Sequence, residues 1–422
     1  MRERAALVGL FTDSHHQIDP EHSLDELSGL AAAAGADVVL RVLQERAKPD
    51  PATFLGSGKV QQLAAAADEM HVDVVIFDNE LSPAQLRNLE ETLERKVVDR
   101  TQLILDIFAR RARTREGKLQ VELAQLQYLM PRLVGSSAAL SRLGGGIGTR
   151  GPGETKLETD RRRIRYRVSQ LGKDIEAVRR RREQLRERRH KASVPTVALV
   201  GYTNAGKTTL FNLLTGGDAV ASDALFVTLD PLVRRVKLPD RRELLVSDTV
   251  GFIDRLPHSL VAAFRATLEE VAEADLLLHV IDASNPDRDR QAAAVQAVLR
   301  EVGAQRVPSI EIFNKCDRLD AGERARIAAV HHGALCVSAR EGEGRDEVVT
   351  AIESRLGLDT ADVRFEFSAS DPDDREHIAQ LYRVGRVLSH VATDGRVTID
   401  AQLPRRLLDR FRKEHVSAAA AR

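Results

Sequence analysis

The stretch that decides the fold of this chain covers residues 194–216 and reads VPTVALVGYTNAGKTTLFNLLTG. An apolar run of strand type precedes Gly201-x4-Gly206-Lys207-Thr208, and a helical pattern follows it. A glycine-rich turn between a strand and a helix offers backbone N–H groups and a helix N-terminus to phosphates, and the lysine reaches the β- and γ-phosphates of a nucleotide. The stretch therefore predicts a phosphate-binding loop (P-loop) in an α/β domain, with the Thr208 hydroxyl as a ligand of Mg²⁺.

Two further motifs follow in the order that a nucleotide switch requires. The strand pattern ELLVSDTVG ends in Asp248-x2-Gly251, where the carboxylate can hold the Mg²⁺ shell through water and the glycine N–H can contact a γ-phosphate. Thr228, in FVTLDP, is expected to complete the Mg²⁺ shell only while the γ-phosphate is present. Lys207, Thr228 and Gly251 are accordingly the candidate catalytic residues.

The base is predicted to be guanine. Asn314-Lys315-Cys316-Asp317 follows the buried-strand pattern VPSIEIF, and the Asp317 carboxylate can accept from the two donors that guanine presents and adenine does not. Ser338-Ala339-Arg340, after ALCV, matches the loop whose backbone N–H meets the guanine O6. The chain is therefore predicted to hydrolyse GTP to GDP.

The predicted nucleotide site is made of the residues of these motifs and their neighbours. They are Gly201, Tyr202, Thr203, Asn204, Ala205, Gly206, Lys207, Thr208, Thr209, Phe226, Val227, Thr228, Asp248, Thr249, Val250, Gly251, Asn314, Lys315, Asp317, Ser338, Ala339 and Arg340.

One position departs from simple GTPase chemistry. Phe252 stands directly after Gly251, where Ras-like enzymes carry a glutamine that orients the attacking water. Because a phenyl ring cannot orient water, we expect slow intrinsic hydrolysis that awaits a catalytic group from a partner.

The whole chain divides into four predicted domains. Residues 1–114 alternate strand and helix patterns, as in an α/β domain with a mostly parallel sheet. Residues 115–191 carry an a/d seam, including Leu119, Leu123 and Leu126, and predict an antiparallel helical hairpin with a glycine-rich basic loop at residues 141–163. Residues 192–357 form the Ras-like P-loop GTPase domain. Residues 358–422 predict a small α+β domain with strands at VRFEF and RVTIDAQL, a helix over EHIAQLYRVGRVLSHV and a short final helix.

Composition sets the remaining expectations. The chain has 63 Lys+Arg, 63 Asp+Glu and two cysteines, so neither a global field nor a disulfide framework is indicated. We expect a cytoplasmic protein, a monomer, with no membrane span, and the sequence leaves peripheral association with a membrane open. The loop at residues 141–163, with Arg142, Arg150 and Lys156 among its glycines, suits RNA phosphates, although a plain flexible connector is the alternative.

The chain resembles the HflX family of ribosome-associated GTPases over essentially its whole length. The resemblance rests on GYTNAGKTTLFN, FVTLDP, DTVGFIDRLPHSLVAAFRATLEE and NKCD, and before them on FLGSGKV, ELAQLQYLMPRL and GGGIGTRGPGETKLETDRR. It implies GTP-dependent binding to the large ribosomal subunit, splitting of stalled ribosomes, and an N-terminal domain that contacts rRNA. Thr208 replaces a serine common in the family, and both residues offer the same hydroxyl.

Three other classes of protein share part of this pattern. An Era-like GTPase would share the switch motifs but not the hairpin and its glycine loop. A metabolic P-loop kinase would have no reason for NKCD. A structural adaptor with an inactive site is disfavoured because Lys207, Thr208, Thr228, Asp248 and Asp317 are all present. The sequence leaves open whether the N-terminal domain binds ATP.

Overall fold

The computed structural model describes residues 2–12, 20–132, 152–191, 194–222, 224–238, 243–254, 265–358, 360–368, 370–393 and 395–404. Of the glycine-rich loop expected at residues 141–163, residues 141–151 lie outside these ranges, and so does the helix expected at the C-terminal end. The prediction is wrong for residues 152–163, which form the start of the helix Pro152–Lys191. Proline suits the first position of a helix, and Gly153 is the only glycine between it and residue 163.

Strands and helices alternate in the first part of the chain, as the sequence predicts. They are β1 (Glu3–Phe11), α1 (Pro20–Ala33), β2 (Ala36–Glu45), α2 (Ser57–Glu69), β3 (Val74–Phe77), α3 (Pro83–Leu93), β4 (Lys96–Asp99) and α4 (Arg100–Arg111). The strands pair in the order β2-β1-β3-β4, and every pairing is parallel. Ser82 accepts a hydrogen bond from the Gln85 N–H and completes a capping box, and Pro83 occupies the first helical position, so this Ser-Pro pair fixes the start of α3.

Two further helices form the hairpin, α5 (Arg115–Arg132) and α6 (Pro152–Lys191). The leucines of the predicted seam on α5 are only half-buried, and its most buried face carries Gln120, Val121, Ala124 and Tyr128. The reason is that α5 packs on two sides: Arg167 of α6 pairs with Glu122 (2.6 Å), while the Tyr128 hydroxyl donates to Asp99 at the end of β4 (2.8 Å). Among the described residues, no helix is long and apolar enough to cross a membrane, α6 included.

The nucleotide-binding part is a six-stranded sheet with helices. Its elements are β5 (Thr196–Gly201), α7 (Lys207–Thr215), β6 (Leu232–Lys237), β7 (Glu243–Asp248), α8 (Arg265–Ala272), β8 (Leu276–Asp282), α9 (Arg288–Glu301), β9 (Ser309–Asn314), α10 (Ala321–Val330), β10 (Leu335–Cys336) and α11 (Arg345–Arg355). The strand order is β10-β9-β8-β5-β7-β6, and β6 is antiparallel to its neighbour whereas the other pairings are parallel. Ligands of open parallel sheets bind at the carboxyl ends of the strands, so the motifs lie at the correct edge.

One hydrophobic core joins the N-terminal unit to the nucleotide-binding unit. Leu103 and Phe108 of α4 belong to the same buried cluster as Phe226, Phe252 and Ile253. The rings of Phe108 and Phe226 meet edge to face, with centroids 4.7 Å apart. Such a cluster normally defines one core per domain, so the two units are packed as one body although their sequence patterns read as separate domains.

The C-terminal part corrects one prediction. It consists of β11 (Thr360–Ser368), α12 (Pro372–Val384), β12 (Arg386–Thr393) and β13 (Arg396–Pro404), with the antiparallel order β11-β13-β12. The helix predicted over EHIAQLYRVGRVLSHV is wrong in its second half, because it ends at Gly385 and RVLSHV becomes β12. The β-branched Val387 and Val391 suit a strand, and pairing with β13 fixes that choice.

Candidate nucleotide-binding site

A cavity of about 370 Å³ lies at the carboxyl ends of the strands of the six-stranded sheet. Most of the predicted site residues line it: Thr203, Asn204, Gly206, Lys207, Thr208, Thr209, Phe226, Val227, Thr228, Thr249, Gly251, Asn314, Lys315, Asp317 and Arg340. The others belong to the same loops but do not form its wall: Gly201, Tyr202, Ala205, Asp248, Val250, Ser338 and Ala339. Four lining residues were not predicted: Ala221, Ser222, Ala224 and Arg318. Arg318 directly follows the NKCD motif, and the other three precede the segment of Thr228. Their closeness in sequence to these motifs could have identified them as residues of the site.

The P-loop closes around the start of α7. Gly206 has a left-handed φ of +92°, and a Cβ there would lie 2.2 Å from the amide nitrogen of Asn314. The Lys207 ammonium is buried and donates to the carbonyls of Gly201 (3.1 Å) and Tyr202 (2.8 Å). Burial lowers the pKa of Lys207 to about 8, against the opposing effect of Asp248. An anionic phosphate that enters the cavity would stabilise the charge of this buried ammonium.

Two hydroxyls and one carboxylate meet beside the P-loop. Oγ1 of Thr208 and Oγ1 of Thr228 lie 2.8 Å apart, and they lie 2.8 Å and 3.0 Å from Oδ2 of Asp248. The other oxygen of Asp248, Oδ1, is buried and has no hydrogen-bond partner, and burial raises the pKa of this carboxyl. Hydroxyl and carboxylate oxygens are the ligands that Mg²⁺ prefers, so this oxygen set suits the ion.

The strand end after Asp248 is fastened to the P-loop by its backbone. The Phe252 N–H donates to the Gly201 carbonyl (3.1 Å), and the Phe252 carbonyl accepts from the Thr203 N–H (2.6 Å). A Cβ on Gly251 would lie 2.8 Å from the Cα of Thr203 and 3.2 Å from Nζ of Lys207. Glycine is therefore required here by the close approach of the two segments.

The Phe252 ring is turned away from the cavity. It is 1% exposed and lies in the core shared with the N-terminal unit, and it is absent from the cavity wall. The side chain that follows Gly251 is thus a packing residue that presents no polar atom to an attacking water.

The residues expected to read the base form a hydrogen-bonded set. The Asn314 amide donates to the Ala205 carbonyl (2.9 Å) and accepts from the Ala339 N–H (3.0 Å), which ties the P-loop to both base loops. The Ser338 hydroxyl donates to Asp317 (2.7 Å), and this hydrogen bond lowers the pKa of Asp317. An oriented, ionised carboxylate at the cavity is the acceptor that guanine donors require. The N–H of Ala339 itself is engaged by Asn314 in this arrangement.

The two cysteines pack behind the base loops. Cys316 is fully buried, its thiol donates to the Phe313 carbonyl (3.1 Å), and burial raises its pKa to about 12. Cys336 is half-buried against the same cluster. A thiol with so high a pKa is a poor nucleophile, which agrees with a packing role for Cys316.

A buried polar network behind the P-loop was not predicted. The Tyr202 hydroxyl accepts from the Asp254 N–H (2.7 Å) and donates to Glu26 of α1, which also pairs with Arg100. Arg100 pairs in turn with Asp78 (2.9 Å) and is 4% exposed. Burial alone would lower the pKa of Arg100, but the two carboxylates raise it above its ordinary value. Only Tyr202 lies in a motif, and no motif marks Glu26, Asp78 and Arg100, which come from distant parts of the chain.

The strand–loop–helix P-loop, the Asp248-x2-Gly251 strand end and the NKCD loop converge on one cavity, and together they define the class of P-loop GTPases. Three family models match the chain: "GTP-binding GTPase N-terminal" over residues 21–109, "GTP-binding GTPase Middle Region" over 111–189 and "50S ribosome-binding GTPase" over 196–315. Because curated GTPase HflX proteins are 44% identical to it over 95% and 99% of its length, the chain belongs to the HflX family of GTPases, as its motifs predict.

Curated relatives support this assignment over nearly the full length. GTPase HflX of Caldanaerobacter subterraneus subsp. tengcongensis is 44% identical over 416 residues, which is 99% of this chain and 94% of the relative. GTPase HflX of Escherichia coli (strain K12) is 44% identical over 404 residues, 95% of this chain and 94% of the relative. Among solved structures, the complex of SsGBP with GDP is 24% identical, covers 83% of this chain and 98% of that one, and has a TM-score of 0.48.

Proposed function

We propose that this GTPase binds the large ribosomal subunit, through rRNA, in its GTP form and splits or rescues stalled ribosomes, and that the ribosome stimulates hydrolysis. The observation that carries the proposal is the burial of Phe252 in the shared core, because the chain then lacks a polar side chain at the position that orients water in Ras-like enzymes. The match to the family described as "50S ribosome-binding GTPase" supports a ribosomal subunit as the partner that completes the site.

The proposed roles of the site residues follow from their positions. Backbone N–H groups of the P-loop and Lys207 hold the phosphates, Asp317 selects guanine, and the Gly251 N–H contacts the γ-phosphate. Thr208 and Thr228 would hold Mg²⁺ directly and Asp248 through water. When bound, the ion neutralises charge on the β- and γ-phosphates. Thr228 joins this set only in the GTP form, which makes the segment around it the switch.

The organisation and setting of the molecule belong to the same proposal. We place the domains at residues 1–114, 115–191, 192–357 and 358–422, and we expect a cytoplasmic monomer that engages ribosomes through the first two domains. The hairpin and N-terminal unit share a core with the nucleotide-binding unit, which supports their acting together.

The experiment measures co-sedimentation and turnover with the full chain. We expect it to sediment with large ribosomal subunits in the presence of a non-hydrolysable GTP analogue and far less with GDP. Adding the subunits should raise turnover on the order of a hundred-fold or more. Thr228→Ala should keep GDP binding but lose the preference for the analogue. Rapid turnover that subunits leave unchanged, or equal sedimentation with both nucleotides, would contradict the proposal.

A further inference from the structure

The N-terminus of α5, the first helix of the hairpin, is hydrogen-bonded to Asp230 from the switch segment around Thr228. Asp230 lies two residues after Thr228, and its Oδ2 accepts hydrogen bonds from the backbone N–H groups of Arg113 and Thr114, both at 2.8 Å. Its Oδ1 accepts from the Thr114 hydroxyl, which itself accepts from the Gly117 N–H (3.0 Å). Thr114 therefore caps α5 through the Gly117 N–H, and the Asp230 carboxylate holds Thr114 and the backbone before the helix by charge-assisted hydrogen bonds. These contacts together form the cap of α5.

Gly117 makes this approach possible. It stands in the first turn of α5, and a Cβ there would lie 2.3 Å from Oδ1 of Asp230. Its φ is not in the left-handed region, so the backbone gives no reason for glycine at this position. Alanine is the better helix former, so the helix itself does not explain glycine at position 117. The close contact with the Asp230 carboxylate does explain it.

The segment between Thr228 and the cap of α5 is short, and each of its residues is held by contacts. Leu229 is 3% exposed in the shared core, so Thr228, Leu229 and Asp230 are fixed at three successive positions. Thr228 touches Thr208 and Asp248, and Asp230 touches the start of α5. A displacement of Thr228 is thus transmitted to the helix that leads into the hairpin.

We propose that Asp230 is a positioning residue that fastens the switch to the N-terminus of α5, so that the nucleotide state and the hairpin constrain each other. With a γ-phosphate present, Thr228 is held inward and Asp230 caps α5. Without the γ-phosphate, Thr228 is free to move away from Thr208 and Asp248, and the hydrogen bonds from Asp230 to the start of α5 are lost. By linkage, a partner that holds α5 in the capped state raises the affinity for GTP. This inference rests on the proposed role of Thr228.

The test uses the full chain without ribosomes, so that its failure is separate from failure of ribosome binding. Affinities for a non-hydrolysable GTP analogue and for GDP are compared in the parent, Asp230→Ala, Asp230→Asn and Gly117→Ala. The affinity ratio should shift toward GDP by roughly 5- to 30-fold in Asp230→Ala, with a smaller shift in Asp230→Asn, which keeps one acceptor oxygen. Gly117→Ala should shift the ratio in the same direction because its methyl group displaces Asp230.

Matched controls and a second readout separate coupling from local stability. The control for Gly117→Ala is Gly58→Ala, because Gly58 lies in the first turn of α2 and a Cβ there would meet nothing within 4 Å. The control for the Asp230 variants is Asp346→Ala, because the side chain of Asp346 is 90% exposed. Both should keep the parental ratio. Hydrogen exchange at Arg113, Thr114 and Gly117 should be slower with the analogue than with GDP in the parent, and this difference should vanish in the Asp230 and Gly117 variants.

The inference is overturned if the parent shows no nucleotide dependence of exchange at α5. It is also overturned if folded Gly117→Ala and Asp230→Asn keep the parental affinity ratio. Loss of ribosome binding in all proteins, with the ratio shifting as expected, would contradict the proposed partner and leave the coupling intact.

Discussion

We propose that single side chains select the nucleotide at this site. The Asp317 carboxylate is oriented by the Ser338 hydroxyl at 2.7 Å, and the backbone around it is tied to the P-loop through Asn314. Selectivity of this kind rests on the cost of leaving a positioned acceptor without its donor.

Replacing Asp317 by asparagine should exchange the preferred base. The amide presents a donor where the carboxylate accepts, so GTP affinity should fall by about two orders of magnitude or more, and relative affinity for xanthosine triphosphate should rise. Titration of both nucleotides measures this change. The control is Asp289→Asn, because the side chain of Asp289 is 83% exposed. Unchanged GTP affinity in Asp317→Asn would remove the base assignment.

Lys207 makes nucleotide binding depend on pH. In the free protein burial lowers its pKa to about 8, and the phosphates of a bound nucleotide should raise it again. At about pH 8 roughly half of the free molecules lack this proton, so GDP binding should take up a fraction of a proton, whereas at about pH 6 no uptake is expected. Affinity should therefore fall as the pH rises above about 8.

Calorimetry of GDP binding in two buffers of different ionisation enthalpy measures this proton uptake. Guanosine, which has no phosphates, is the matched ligand and should show no uptake at about pH 8. Equal uptake with both ligands would assign the proton to the base or to another group.

At the scale of elements, the hairpin is the part that the nucleotide motifs leave unexplained. Its helix α5 is anchored on one side by the Tyr128–Asp99 hydrogen bond and on the other by the Arg167–Glu122 pair. These contacts join α5 to the end of β4 and to α6, and the predicted basic segment at residues 141–163 includes the first residues of α6.

Substitution of Arg142, Arg150 and Lys156 by alanine should leave GTP affinity unchanged and weaken ribosome binding. If these side chains contact phosphates, each lost contact should flatten the salt dependence by a slope of roughly 0.7–0.9. A loop recognised by shape would instead be impaired by bulky residues at Gly144, Gly145 and Gly146, with the salt slope unchanged. Arg326→Ala is the control, since its side chain is 75% exposed on α10. Parental binding by both loop variants would mean that the loop is only a connector.

Some helices and strands could be predicted from sequence patterns alone, and others could not. Strands β1 to β4 follow from short apolar runs, and α3 follows from the Ser82-Pro83 pair, because these signals are local. The helix predicted to run through RVLSHV ends at Gly385 because pairing with β13 outweighs local propensity there. The network of Glu26, Arg100 and Tyr202 could not be predicted, because nothing in one residue's neighbourhood in sequence reveals a partner on another unit.

In the whole molecule, Arg100 belongs to a polar network that crosses between the two units, and it donates to the Asp254 carbonyl (3.4 Å). It is buried between Glu26 and Asp78, and Glu26 also binds the Tyr202 hydroxyl of the P-loop. Removing one member of a buried ionic group is costly because the remaining charges keep their desolvation penalty.

Arg100→Met should lower the free energy of unfolding by about 3–5 kcal/mol. Chemical denaturation followed by circular dichroism measures the loss. Adding Glu26→Gln and Asp78→Asn to this variant should restore part of it, because the buried charges are then gone. Arg2→Met removes an ion pair with side chains 72% and 55% exposed and should cost less than about 1 kcal/mol. A loss in Arg100→Met no larger than in Arg2→Met would mean that the network does not hold the units together.

The core that α4 shares with Phe226, Phe252 and Ile253 has a consequence for biosynthesis. The N-terminal end leaves the ribosome first, so β1 to α4 can fold before residues 226–253 have been made. These later segments then emerge beside a finished apolar surface that covers Phe226 and Phe252. A nascent chain deprived of that surface would expose both rings to solvent while its nucleotide site assembles, so we expect β1 to α4 to assist the folding of the switch.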